Sequence, residues 1–237
     1  MKSIGNAKVI PQDIFDNLEL DAGVLLFNFD PQNPAINDSD IITATTGGIK
    51  IDAVPTYSDL FSDVDNAPAN TKEGKHLDDW TVTVSTTALS SSLDMVKFAM
   101  GAADRSTPNY SASTDTSVVA GKTYYTQGGT SPNYTYTAVT TPTGNPSTSS
   151  YYEKELTGTV TPRRNVKLSD FQDIWYVGDL ANGDLAVAKI MNALSTGGFG
   201  YQTAKNGKGQ TSLTITGHFS AAAQNVVPVQ YMIVSGE

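Results

Sequence analysis

Few residues in this chain are of types and spacings that could do chemistry. Two adjacent glycines stand in Gly47-Gly48-Ile49-Lys50, and Lys208 sits between Gly207 and Gly209. Either could suggest a phosphate-gripping loop, which aims backbone N–H groups and a lysine at an anion. That loop needs G-x-x-x-x-G-K-[ST] opening a helix. Neither stretch has the spacing, the hydroxyl after the lysine, or a helical pattern behind it. Glycine inside an alternating pattern marks a bulge or a close backbone approach instead. A bulge is the expectation for Gly47-Gly48.

Other candidates thin out in the same way. Asp63-Val64-Asp65-Asn66 begins like an EF-hand calcium loop, but Ala67 fills the fifth position and Pro68 the sixth, where glycine is required. There are only two histidines, His76 in a polar stretch and His218 in an alternating one, and no cysteine at all. Disulfides, thiolate metal sites and cysteine nucleophiles are therefore excluded. Serine is abundant, yet no G-x-S-x-G elbow occurs. The adjacent carboxylates Asp78-Asp79 have nothing nearby to raise either pKa. The expectation is a protein that is no enzyme and has no catalytic, metal or cofactor site.

The elements that would position these residues are mostly strands. Alternation runs through Val24–Asp30, Gly48–Tyr57, Trp80–Ser85, Phe171–Val177, Leu185–Met191, Leu213–Phe219 and Val227–Val234. Pro228 lacks a ladder donor and belongs at the start or edge of the last strand. Trp80 and Trp175 read as core anchors. One helix is expected near 91–103, with Ser91 as its cap, Asp94 completing a capping-box pattern and an apolar arc from Met95 to Ala102. Between strands, Phe61–Asp79 is polar and long enough to call for a function or a partner. The fold class expected is mainly β, a sandwich or barrel with one flanking helix.

At about residue 104 the composition changes. Residues 104–155 are rich in Ser, Thr and Tyr, with turn signals at Gln127-Gly128-Gly129 and Thr143-Gly144-Asn145-Pro146. A small β-rich insertion of two or three strands is expected there, interrupting a body made of 1–103 and 156–237. The whole chain has 237 residues, of which 39% are hydrophobic and only 16% charged, with a mean hydropathy of −0.24. Typical soluble domains carry about 25% charged residues, so the bias toward Ser, Thr, Gly and Asn favours strands and turns. The first twenty residues hold no continuous apolar run, and no stretch reaches membrane-spanning length. Synthesis and retention in a cytoplasm, or exit without a secretory signal, is the expectation.

The net charge of −9 is concentrated: residues 1–103 hold fifteen acids and six bases, and the remainder nine of each. No basic stripe exists to neutralise phosphates, which argues against tight nucleic-acid binding.

The stretch "ITATTGGIKIDAVPTYSDLFSDVDNAPANTKEGKHLDDWTVTVSTTAL", with "DIWYVGD", "IMNALSTGGFGYQT" and "GHFSAAAQNVVPVQYMI" further on, resembles the major tail proteins of long-tailed, non-contractile bacteriophages. The order of Thr-Gly-Gly before a strand, an Asp-Val-Asp loop and Gly-Lys before the next strand carries the likeness. Thr46 stands where relatives commonly have arginine, Asn66 where they often have glycine, and the tyrosine-rich insertion has no counterpart in a minimal subunit. The resemblance implies a virion protein, assembled in the host cytoplasm, that closes six copies into a ring with an inner β-barrel. Stacked rings would form the tail tube through which genomic DNA leaves. It also implies a tape measure protein, a tail terminator and tail tip proteins as partners, with no membrane contact. Asp63, Asp65, Lys72, Lys75, His76, Asp78 and Asp79 are then candidates for contacts between rings. Asp52 is the candidate acid facing the bore, where negative charge would keep DNA from sticking, although Lys50 shares its face. The alternative is a β-sandwich module that binds carbohydrate or a receptor through its tyrosines.

Overall fold

The structure is a computed structural model describing residues 12–236, apart from 21, 22, 67, 69, 90, 107, 131, 132, 149, 157, 204 and 206. Its strands are β1 (Val24–Leu26), β2 (Ile41–Thr43), β3 (Thr45–Asp59), β4 (Lys75–Ala88), β5 (Ala103–Arg105), β6 (Asn109–Ala112), β7 (Tyr125–Thr130), β8 (Asn133–Ala138), β9 (Tyr151–Leu156), β10 (Val160–Pro162), β11 (Gln172–Asp179), β12 (Leu185–Ser195), β13 (Tyr201–Gln202), β14 (Gln210–Gly217) and β15 (Val229–Val234). Two α-helices accompany them among the described residues, a five-residue α1 (Gln12–Asp16), which the sequence reading did not anticipate, and α2 (Leu93–Met100). The chain divides into a body, 1–103 with 162–237, and an inserted unit, 104–161. The insertion thus runs six residues past the border at 155 that composition suggested, because β10 pairs with β5.

The body is mainly β, a two-sheet sandwich with one strand shared between the sheets. β2, β1, β11, β12 and β15 form one sheet; the far end of β12 joins β14, β4 and β3 in the other, with β13 on β14. β12 changes sheets at Asn192, whose φ of 47° is left-handed. Its N–H donates to Asp173 Oδ1 at 3.0 Å and its side-chain amide to the His218 carbonyl at 3.0 Å. These bonds satisfy backbone groups that the bend takes out of the ladder. His218 is thus a corner residue beyond β14, with Phe171 edge-on at 5.2 Å.

Alternation decides what faces inward. Val82, Val84, Ala88, Leu213 and Ile215 from one sheet meet Leu25, Ile174, Ala188, Ile190 and Ala193 from the other, and α2 adds Met95, Phe98 and Ala99. Phe98 meets Phe27 edge-to-face at 5.2 Å. The opposite face of the first sheet is apolar as well, with Leu26, Phe29, Val177 and Val187 buried together and Trp175 packed at the margin. With both faces covered, Val24-Leu25-Leu26 and Ile174–Val177 are apolar without a break, where alternation was expected. Trp80 and Trp175, expected as core anchors, are both only half-buried.

Local expectations shift by small amounts. Ser92 caps α2, not Ser91: its hydroxyl accepts from the Met95 N–H at 3.2 Å. The helix ends at Gly101, φ 70°, where an added Cβ would meet the Ser195 carbonyl oxygen at 2.7 Å. β1 stops at Leu26, well short of Asp30. Gln127-Gly128-Gly129 lies inside β7, paired with β8; residues 131 and 132, between the two strands, lie outside the described residues.

In the inserted unit the sheet order is β6-β9-β7-β8. Its tyrosines pack on one another: Tyr110 stacks on Tyr136 at 4.0 Å, while Tyr125 and Tyr152 meet them edge-on. Gln127 joins the Tyr136 and Tyr152 hydroxyls. On the other side Tyr124 is fully buried, its hydroxyl donating to Asp115, which also holds Lys122 at 2.7 Å. Asp115 and Glu153 hold the Lys122 ammonium above its ordinary range. Because these rings fill each other's faces, they form the unit's own small core.

Candidate assembly surface

The β3–β4 hairpin carries most of the residues singled out by sequence. Inside the body it is an ordinary sheet pair. Beyond Ala53 and Val82 it leaves the core, and every residue from Lys75 to Asp79 is exposed. At about 3.3 Å per residue, the ladder from Ala53 to Asp59 projects roughly 20 Å.

Gly47 and Gly48 stand where β3 skips register between Thr46 and Ile49, with φ values of 78° and 81°. Both are left-handed conformations that glycine alone adopts without strain. The Thr86 hydroxyl donates to the Gly48 carbonyl at 2.9 Å and fixes the bulge. The glycine pair therefore serves the backbone of a strand.

The polar stretch from 61 to 79 is only partly a loop. Lys75, His76 and Asp79 are strand residues opposite Asp59, Ser58 and Thr56, and Asp78 is the extra residue of a second irregularity. His76 Nε2 stands 4.0 Å from Asp78 Oδ1, both exposed, and the Ser58 hydroxyl donates to Asp78 at 2.9 Å. Asp79 accepts from the Trp80 N–H at 2.7 Å. Lys72 lies beside Glu73 at 3.4 Å in a single 3₁₀ turn, Lys72–Gly74. Asp63 and Asp65 are exposed at the tip.

A residue just outside that stretch organises it. Asp59 Oδ1 accepts from the Phe61 N–H at 3.1 Å and Oδ2 from the Asn70 N–H at 2.9 Å. Lys75 donates to the Asn70 side chain at 2.7 Å and stands 3.8 Å from Asp59. The Asn70 and Phe61 N–H groups, then Lys75, hold the Asp59 carboxyl below its usual range. Asn66 and Asn70 both have positive φ, which asparagine tolerates better than most residues. An aspartate ending a strand just before a polar run was the available signal, since such a side chain bonds the backbone two residues on.

The hairpin's apolar residues are left in water. Val54, Tyr57 and Leu77 on its strands, with Leu60 and Val64 at its tip, are 43–62% exposed. At its base a groove of about 330 Å³ is lined by Leu77, Asp78, Asp79, Trp80, Phe219 and Val227, among others.

The outer face of the second sheet has its own character. Ladder parity puts Lys50, Asp52, Thr83, Ser85, Thr87, Ser212, Thr214 and Thr216 on that face, opposite the core. Lys50 Nζ meets Asp52 Oδ2 at 2.6 Å. The acid expected to give this face a negative field is thus neutralised by its strand neighbour, leaving a carpet of hydroxyls.

No protein-family model matches the chain, and no curated protein sequence matches it. Among the described residues no helix is long and apolar enough to cross a membrane, and no three His, Cys, Asp or Glu side chains are grouped to hold a metal ion.

Proposed function

We propose that this chain is a self-assembling structural protein, the tail-tube subunit of a long-tailed, non-contractile phage, closing into hexameric rings that stack around a DNA conduit. The projecting hairpin carries the reading. A two-stranded hairpin with water on both faces is marginal by itself. This one is well formed by its Asp59 network yet displays apolar side chains along its length. Docking against another copy buries those residues and lets an otherwise unsupported element persist.

The hydroxyl face supports the conduit. Duplex DNA binds proteins mainly through phosphates neutralised by Lys and Arg, with release of counterions. A wall of Thr and Ser whose lysine is already paired releases none, so DNA passes without being held. The tape measure, terminator and tip proteins belong to this reading as partners, and the virion tail as location.

Negative-stain microscopy of the purified protein tests it, with rings and tubes expected. Leu60→Ser with Val64→Ser should abolish tubes while leaving the melt of the body unchanged. A wild type that stays monomeric at every concentration, or a double variant that forms tubes normally, would overturn the proposal.

A further inference from the structure

The body exposes four sheet edges among its described residues, and they are guarded very differently; β13 is only two residues long. β2 is three residues long and bulged at Ile42, where Leu25 pairs with Thr43 but Leu26 with Ile41. β3 carries the glycine bulge, the Lys50–Asp52 pair and Pro55. Short length, bulges, charges and proline are the devices that keep edges from pairing indiscriminately. β15 has none of them. Its sequence, Val229-Gln230-Tyr231-Met232-Ile233-Val234, is uncharged and free of proline and glycine, and its register against β12 is unbroken from Ile190–Val229 to Leu185–Val234.

The backbone of β15 is presented as well. Met191 N–H donates to the Pro228 carbonyl at 2.9 Å. Antiparallel ladders alternate bonded and non-bonded pairs. Counting along from that bond, Gln230, Met232 and Val234 bond inward to β12, which turns the N–H and C=O of Tyr231 and Ile233 outward. Those same two residues are 64% and 53% exposed. Apolar side chains and free ladder groups together form a template for an added strand. A six-residue segment of this composition, left open, is an aggregation hazard.

We infer that β15 is an assembly edge, and that its occupant is the β3 edge of a second copy of this chain. The inference rests on the tube reading for its direction. Two β15 strands joined about a two-fold axis would close a dimer and leave nothing to propagate, whereas a ring needs two different surfaces. β2 is too short and irregular to serve. β3 keeps regular register from Ile49 to Thr56, and among the described residues only β4 lies beside it. Its charges hinder pairing with a like strand but meet none on β15.

Hydrogen exchange on the full chain, before and after assembly, tests this together with the variant Tyr231→Lys/Ile233→Lys. Amides of 231 and 233, and the alternate amides of 49–54 that do not bond to β4, should exchange rapidly in the monomer and slow at least tenfold together on assembly. The lysine variant should stay monomeric with an unchanged melt. Four results overturn the inference: protection of 231 and 233 already in the monomer, which assigns the edge to a segment of the same chain; protection of β15 without β3; assembly by the lysine variant; or a wild type that never associates. Tubes with β15 still open would sink this inference and leave the tube reading standing. Closed rings that protect both edges but never stack would do the reverse.

Discussion

Replacing Gly47 and Gly48 with alanine separates backbone strain from every other effect a glycine can have. Both have φ near 80°, and an added Cβ at either position meets nothing within 4 Å. The cost is therefore conformational alone. A left-handed L-residue costs about 1–2 kcal/mol. Against that, alanine narrows the unfolded ensemble and returns about 0.4–1 kcal/mol per site. The double variant should lose roughly 1–2 kcal/mol, or about 2–8 °C in Tm for a chain of this size. Gly101→Ala pays the same φ cost and also drives its Cβ to 2.7 Å from the Ser195 carbonyl oxygen, a backbone atom that cannot swing away. It should cost more than the double variant. Gly48→Asn should recover part of the loss, because asparagine tolerates the left-handed region. Urea unfolding followed by tryptophan fluorescence is the assay, since Trp80 and Trp175 are the only tryptophans and both lie in the body. A double alanine variant as stable as wild type, or as damaged as Gly101→Ala, would refute the reasoning.

Deleting 107–158 and joining Ser106 to Thr159 through Asn-Gly should leave the body's urea transition in place. Ser106 and Thr159 already exchange backbone and hydroxyl hydrogen bonds of 2.9 Å, so a two-residue turn can close them; loss of the transition would show that the body needs the insertion. Asp170 gives a pH signature. Burial raises its pKa, but the Lys167 N–H and the Arg163 guanidinium outweigh that and hold the carboxyl below its ordinary value. A depressed folded pKa stabilises above the unfolded value, about 3.9, and the benefit disappears as pH falls through the folded one. Asp170→Asn should therefore melt lower than wild type at pH 7, with the two curves converging below about pH 4; a gap that is constant with pH would exclude the ionic contribution.

Much of this molecule was written in local pattern. Alternation located every long strand of the body, because a half-buried strand must switch apolar and polar at each residue. The bulge at Gly47-Gly48 was legible for the same reason: two glycines in such a pattern have no side chain to place and only a backbone to bend. The compositional break at 104 marked a unit whose core is built from tyrosines instead of aliphatics. The helix was found from its apolar arc, although three serines preceding it, Ser90 to Ser92, made the cap ambiguous by one residue.

Long-range pairing decided the rest. Lys75 to Asp79 read as loop because no apolar periodicity marks a ladder that is wet on both faces; only pairing with Thr56–Asp59 makes them strand. Gln127-Gly128-Gly129 read as a turn because glycines favour turns, and β8 overrode that preference. That Lys50 shares the face of Asp52 followed from alternation; that the two close to 2.6 Å is decided by their rotamers. Nothing in "VQYMIV" announced an edge. Whether a strand is central or open depends on what lies on its other side, and a sequence records the strand without recording its neighbours.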